Sequence, residues 1–238
     1  MLRTLIWFTY FWLYLLLCIP ISLYIRHLAK KDGAKADRYV AHFVKNWARR
    51  LLKLAGATVR VTGQENLPES GAYMVVANHQ GYFDIPIMLT CVGEPRGLVA
   101  KQEIDRIPGI RTWMRYLHCL FVDRSSPRAG AQTIVDGAGL LAGGHSLTIF
   151  PEGTRSRGGP VREFKAGAFR MASRAGVPVV PVTIDGSFRL MEGNKMRIRP
   201  AVVNITIHPA VETAGMGREG LRALPHMVKE TIEAKLAY

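Results

Sequence analysis

The chain opens on an unbroken apolar run. Across residues 4–25, TLIWFTYFWLYLLLCIPISLYI, nothing carries a charge. As a helix these 22 residues are ~33 Å long, about the thickness of one hydrocarbon core. Trp7, Tyr10, Trp12, Tyr14 and Tyr24 supply rings of the kind that sit at a membrane interface. A secretory signal has a shorter apolar stretch and a small-residue cleavage site, and no A-x-A follows here. Pro20 predicts a kink or a break, so the run either spans once or dips in and returns. A second periodic stretch covers residues 36–55. Val40, Phe43, Val44, Trp47, Leu51 and Leu54 form one stripe at spacings of three and four, with Arg38, Lys45, Arg49, Arg50 and Lys53 off it. That pattern suits a helix lying on anionic lipid, and equally a surface helix packed on a domain; the adjacent apolar run favours lipid contact.

From Gly56 onward, short apolar runs alternate with helical periodicity. Strands are predicted at 58–62, 73–77, 97–100, 119–122, 146–150 and 179–184, then a hairpin-like pair at 196–199 and 202–207. Helices are predicted at 85–91, 110–117, 128–142, 166–175 and 219–237. The expected fold class is α/β: a mostly buried mixed sheet flanked by helices, preceded by a membrane-associated helical segment. The domains divide into residues 1–55, anchoring, and residues 56–238, one α/β domain.

Composition narrows the partners. The 238 residues include 48% hydrophobic and 21% charged side chains, which excludes a disordered chain. Lys plus Arg number 32 against 18 Asp plus Glu, a net charge of +14, so an anionic partner is expected. Zinc-finger spacing, an RNP-type aromatic motif and a recognition helix are all missing, which disfavours nucleic acid. The three cysteines include no CxxC, so neither a disulfide framework nor a cysteine zinc site is indicated. Arg3 stands alone before the apolar run, while Arg26, Lys30, Lys31, Lys35 and Arg38 follow it. The positive-inside rule then places the remainder on the cytoplasmic side of an inner or plasma membrane.

Three His-x4-Asp pairs are candidates for acid–base chemistry: His27–Asp32, His79–Asp84 and His118–Asp123. In an extended strand an odd offset sends side chains to opposite faces, so His118 and Asp123, beside the run CLFV, should not meet. His27–Asp32 lies among lysines with no core strand before it. His79–Asp84 sits between a strand and a helix, with Gly81 to allow a sharp turn. Folded back, the carboxylate fixes the imidazole tautomer and the other ring nitrogen becomes a base. The competing reading makes Asp84 a helix N-cap.

A second constellation, LTIFPEGTRSR, covers residues 147–157. A strand runs into a Pro-Glu-Gly-Thr turn and two arginines, and ligands of open α/β sheets bind at strand ends. Arg155 can grip a phosphate bidentately, with Thr154 and backbone N–H groups adding donors. Glu152 is expected to orient Arg155, a backbone donor or a substrate hydroxyl. Lys165, at a helix start, and Lys101, after a strand, are further anion-binding candidates. A serine hydrolase is disfavoured because there is no G-x-S-x-G; residues 144–148, GHSLT, lack the final Gly.

Four blocks in order resemble the glycerolipid acyltransferase family, which includes 1-acylglycerol-3-phosphate acyltransferases: NHQGYFD at 78–84, CLFVDR at 119–124, FPEGTRSR at 150–157 and VPVVPV at 177–182. The resemblance implies an O-acyltransferase with His79 as general base and Asp84 as its partner. It implies that Glu152, Gly153, Thr154 and Arg155 bind a lysophospholipid acceptor, with Arg124 and Lys101 nearby. It implies an acyl thioester co-substrate, acyl-CoA or acyl carrier protein, and neither cofactor, metal nor acyl-enzyme. The product would be phosphatidic acid. Other lyso-lipid acceptors, a lyso-ornithine lipid among them, remain open, as does a non-enzymatic basic binder of membrane or nucleic acid. The chain departs from the family in carrying Arg111 and His118 where glycines are common, which would reshape the acceptor entrance.

Overall fold

The computed structural model describes residues 1–123 and 126–237. Three helices come first: α1 (Leu2–Leu17), α2 (Ile19–Lys31) and α3 (Gly33–Ala55). The apolar run is broken between α1 and α2, with a 46° bend. Pro20 falls in the first turn of α2, where its missing N–H costs nothing. Asp32 caps α3, its carboxylate accepting the Lys35 N–H at 2.9 Å. Gly56 ends α3 in the left-handed region at φ 75°, which only glycine adopts without penalty.

Seven strands follow, interleaved with helices: β1 (Ala57–Thr62), β2 (Met74–Ala77), α4 (Asp84–Cys91), β3 (Gly97–Lys101), α5 (Ile110–Tyr116), β4 (Leu120–Val122), α6 (Pro127–Ala142), β5 (Leu147–Ile149), α7 (Ala166–Ala175), β6 (Val179–Asp185), β7 (Ala201–Ile207) and α8 (Arg218–Glu233). They form one sheet in the order β1-β7-β6-β2-β5-β3-β4. Every neighbouring pair is parallel except β6 and β7. The expected mixed sheet is thus present, and its middle strands β2, β5 and β6 are wholly buried.

Burial on both faces follows from the residue types. In β2, Val75 and Ala77 face a core with Leu51 and Leu52 of α3 and Ile87 and Met88 of α4. Met74 and Val76 face the opposite core, with Phe169 and Met171 of α7 and Leu224, Val228 and Ile232 of α8. Such strands read as continuous apolar runs because neither face meets water.

Two expectations are corrected. The apolar stripe of α3 is spent inside the protein: Val40, Val44, Ala48, Leu51, Leu52 and Ala55 are buried. The hairpin partner at 196–199 is not a strand. Lys195 and Met196 adopt positive φ, the Ile198 N–H goes to Thr4 Oγ1 at 2.9 Å, and the Arg199 N–H goes to Leu190 O at 3.0 Å. β7 pairs with β1 and β6 instead.

Candidate active site

Parallel strands β2 and β5 are adjacent, so the loops leaving their carboxyl ends meet. The first loop carries His79 and Asp84, the second Glu152 to Arg157. They are zipped together: the Ser156 N–H donates to His79 O at 2.7 Å and the Arg157 N–H to Gln80 O at 3.2 Å. Asn78 anchors the first loop to β6, donating from Nδ2 to Ile184 O and accepting the Ile184 N–H, both at 2.8 Å.

Asp84 opens α4, yet its carboxylate does not cap the helix. It turns back and accepts three hydrogen bonds at Oδ2: from His79 Nδ1 at 2.6 Å, the Gln80 N–H at 2.7 Å and the Gly81 N–H at 2.9 Å. Ser187 Oγ donates to Oδ1. The Asp84 side chain is 0% exposed. An ionised carboxylate only accepts, so Nδ1 must carry the ring proton, and in the neutral ring Nε2 is left with a lone pair. Among the described residues Nε2 has no hydrogen-bond partner. One face of the imidazole is covered by Phe150, stacked at 4.1 Å and 19°. The ring is therefore fixed in tautomer and plane, with its basic nitrogen unengaged.

Glu152 is buried, and burial pushes its carboxyl above the usual range. Two backbone bonds oppose that shift. Oε1 accepts the His79 N–H at 2.7 Å and Oε2 the Arg162 N–H at 3.0 Å. Of the roles expected for Glu152, the geometry shows the orientation of backbone donors: it braces the histidine loop against the 150s loop, and among the described residues it makes no hydrogen bond or ion pair with Arg155.

Arg155 lies with its guanidinium 3.7 Å above the Tyr82 ring, and Nη1 is 3.6 Å from Glu192 Oε1. That oxygen also accepts the Tyr82 N–H at 2.7 Å. The Glu192 side chain is 2% exposed, against 25% for Arg155. Burial raises the Glu192 carboxyl above its ordinary range. Its Oε2 is buried without a partner among the described residues. A Cβ on Gly81 would stand 2.6 Å from that oxygen, so glycine is required for the approach.

The remaining candidates lie at the same end of the sheet. Gly153 takes φ 70° and donates to Phe150 O at 3.1 Å, turning the loop; Thr154 beside it is exposed. Lys101 ends β3, exposed. Lys165 precedes α7, exposed, its N–H bonded to Pro151 O at 3.2 Å. Arg124 lies outside the described residues. Three participants escaped the sequence reading. Gln80 Oε1 accepts the Gly186 and Ser187 N–H groups at 2.8 and 3.1 Å, and Ser187 and Glu192 come from the segment after β6. Gln80 lay inside the NHQGYFD block without being singled out, and the local signal for the other two was the Gly186-Ser187 turn after an apolar strand.

The other two His–Asp pairs do not form. Asp32 caps α3, and His118 Nε2 lies 3.0 Å from Asp37 Oδ1 instead. His118 precedes β4, at the opposite end of the parallel strands from the His79 and Glu152 loops. It therefore does not reshape an acceptor entrance there.

The acyltransferase family model matches residues 58–185. The 1-acyl-sn-glycerol-3-phosphate acyltransferase of Borreliella burgdorferi is 31% identical over 185 residues, 78% of this chain and 74% of that one. The enzyme of that name from Escherichia coli K12 is 27% identical over 224 residues, 94% and 88% of the two chains. Among solved structures, the 1-acyl-sn-glycerophosphate acyltransferase PlsC of Thermotoga maritima superimposes with a TM-score of 0.85 at 31% identity, covering 98% of this chain and 92% of its own. Non-enzymatic binding as the sole activity is set aside by these matches. With the histidine–aspartate pair held between two adjoining loops and the fold and sequence shared over nearly all its length, the chain belongs to the acyltransferase family and is an O-acyltransferase.

Proposed function

We propose that the enzyme transfers a fatty acyl group from an acyl thioester, acyl-CoA or acyl carrier protein, to the sn-2 hydroxyl of 1-acylglycerol-3-phosphate. The observation that carries this reading is the 2.6 Å contact between His79 Nδ1 and Asp84, which leaves Nε2 as the base. The acceptor hydroxyl gives its proton to Nε2 as its oxygen attacks the thioester carbonyl. Asp84 steadies the resulting imidazolium. The tetrahedral intermediate collapses by breaking the C–S bond, and the imidazolium returns the proton to the departing thiolate. Products are phosphatidic acid and the free thiol, with no cofactor required. Arg155 takes the phosphate, with Thr154, the Gly153 backbone, Lys101, Lys165 and Arg124 as further donors. Glu152 keeps the two loops in register.

Within the anchoring segment, residues 1–55, α1 and α2 act as the membrane seat, while α3 packs on residues 56–238, the catalytic domain. Among the described residues no single helix is long and apolar enough to cross a bilayer, although the bent pair α1–α2 is so by length and composition when taken together. Support for a seat within one leaflet comes from how the pair is tied down. Arg3 Nη1 donates to Ala55 O at 3.0 Å, Trp7 Nε1 to Leu51 O at 2.9 Å, and the Tyr116 hydroxyl to Ser22 O at 2.8 Å. Both helices of the pair thus hold to one domain. Along them Leu5, Phe8, Trp12, Leu16, Ile19 and Leu23 stand exposed. The basic cluster after the run orients the domain to the cytoplasmic face.

The Glu192 carboxylate beside Arg155 favours a second reading, in which the acceptor headgroup also carries a cation, as a lyso-ornithine lipid does. A panel of acyl-CoA and acyl carrier protein donors against lysophosphatidate, lysophosphatidylcholine and lyso-ornithine lipid, in detergent, decides. Highest kcat/KM on lysophosphatidate is expected. Preference for the amine-bearing acceptor would install the second reading, and transfer to none of them would defeat both.

A further inference from the structure

We propose that Asp37, His118 and His145 form a site for a borderline divalent cation, zinc foremost, that fastens α3 to the sheet. The residues come from three distant places: the first turns of α3, the residue before β4 and the turn between α6 and β5. One donor atom from each lies within 4.8 Å of the others. His118 Nε2 is 3.0 Å from Asp37 Oδ1, and the His118 and His145 rings stack at 3.8 Å and 27°.

The backbone itself places the His118 ring: the residue ends α5 in a left-handed C-cap at φ 55°, its N–H bonded to Arg115 O at 3.1 Å and the Cys119 N–H to Met114 O at 2.9 Å.

The donor set selects the ion. Calcium and magnesium want mostly oxygen ligands. Two imidazoles and one carboxylate suit zinc, cobalt or nickel, with water filling the fourth position. In a tetrahedral zinc site, ligand atoms are ~3.3 Å apart, given bonds of ~2.0 Å. The His118–Asp37 pair is already near that separation at 3.0 Å, and the His145 donor lies within 4.8 Å of both.

Position argues a structural role. His118 and His145 precede the amino ends of β4 and β5, whereas the His79 and Glu152 loops leave the carboxyl ends of β2 and β5. The site therefore lies across the sheet's length from the chemistry. It ties the N-terminal helical layer, through α3, to the edge of the sheet.

The test uses the full-length enzyme in detergent, stripped by chelator and titrated with Co2+ and then Zn2+. Expected are one Co2+ per chain with the visible bands of a four- or five-coordinate ion, displaced by zinc, and a Tm that rises with zinc. Asp37→Asn, His118→Asn and His145→Gln should each lose the bands and the Tm rise while keeping acyl transfer near the parental rate. Asn is chosen at 118 because it tolerates positive φ. His226→Gln, which alters an exposed histidine paired with Glu230, should keep both signals. Binding that is substoichiometric, that survives in all three variants, or that is lost equally in His226→Gln overturns the proposal.

Discussion

A single carboxylate, Asp84, holds four groups at once: the His79 ring, two backbone N–H groups and the Ser187 hydroxyl. Asp84→Asn nearly preserves shape but sets an amide N–H against groups that are all donors. We expect kcat to fall by on the order of 10³–10⁴ with acceptor KM little changed, since the wrong tautomer is the fault. Ser187→Ala removes one bond to a buried charge, worth ~1.5–3 kcal/mol, so a loss of roughly tenfold or more in kcat should be seen in the same assay. Glu192 supplies a pH test. Its folded pKa is raised by burial, so the protonated form favours folding, and that contribution is complete below the ordinary carboxylate range. It is lost as pH rises through the raised value. Glu192→Gln is neutral throughout, so its Tm relative to the parent should grow from acid to neutral pH. It also frees the Arg155 charge, so lysophosphatidate KM should drop; an unchanged KM would deny Glu192 any influence on Arg155. The His79–Asp84 contact was legible because its partners are five positions apart across a turn. Ser187 and Glu192 were not, since each meets the histidine loop across more than 100 residues of chain.

Among the elements, periodicity named the type and left the partner open. The α3 stripe is equally good for lipid or for protein, and only α1, α2 and α4, folded against it, decide. The strand read at 196–199 failed for a different reason: Ile198 is buried, but by a loop whose N–H groups go to Thr4 and Leu190 and not to a ladder. Buried β2, β5 and β6 were readable as apolar runs, whereas the β6–β7 antiparallel pairing inside an otherwise parallel core has no short-range signature. The metal cluster was invisible for a similar reason, since its three ligands share no motif. How α1 is held gives a prediction at this scale. Trp7 is the one buried side chain of α1, and its indole N–H reaches the α3 carbonyl of Leu51. Trp7→Ala should cost ~3–5 kcal/mol in packing. It should also open residues 1–31 to proteolysis in detergent before the rest of the domain is cut. Simultaneous cleavage throughout would mean that α1 and the sheet unfold as one unit.

For the molecule as a whole, the proposed function raises the question of what would bring a water-borne thioester and a bilayer-embedded alcohol to the same imidazole. The exposed apolar side of α1–α2 and the basic residues Lys30, Lys31, Lys35 and Arg38 at the α2–α3 junction offer two separable forces. The first depends on buried area and not on lipid charge. The second contributes ~1 kcal/mol per basic residue near an anionic surface and is screened by salt. Replacing Lys30 and Lys31 by Gln should therefore weaken binding to phosphatidylglycerol-containing vesicles by roughly thirtyfold, with little change on neutral vesicles or at high salt. Replacing Trp12, Leu16 and Leu23 by Ser should weaken binding to both kinds alike. These side chains are exposed, so the fold should be intact and transfer to a short-chain, water-soluble acceptor should continue at the parental rate. Transfer to a vesicle-borne acceptor should fall in proportion to bound enzyme. If transfer to both acceptors fell together, the α1–α2 surface would be part of the acceptor pocket itself. The membrane seat and the active site would then be one structure.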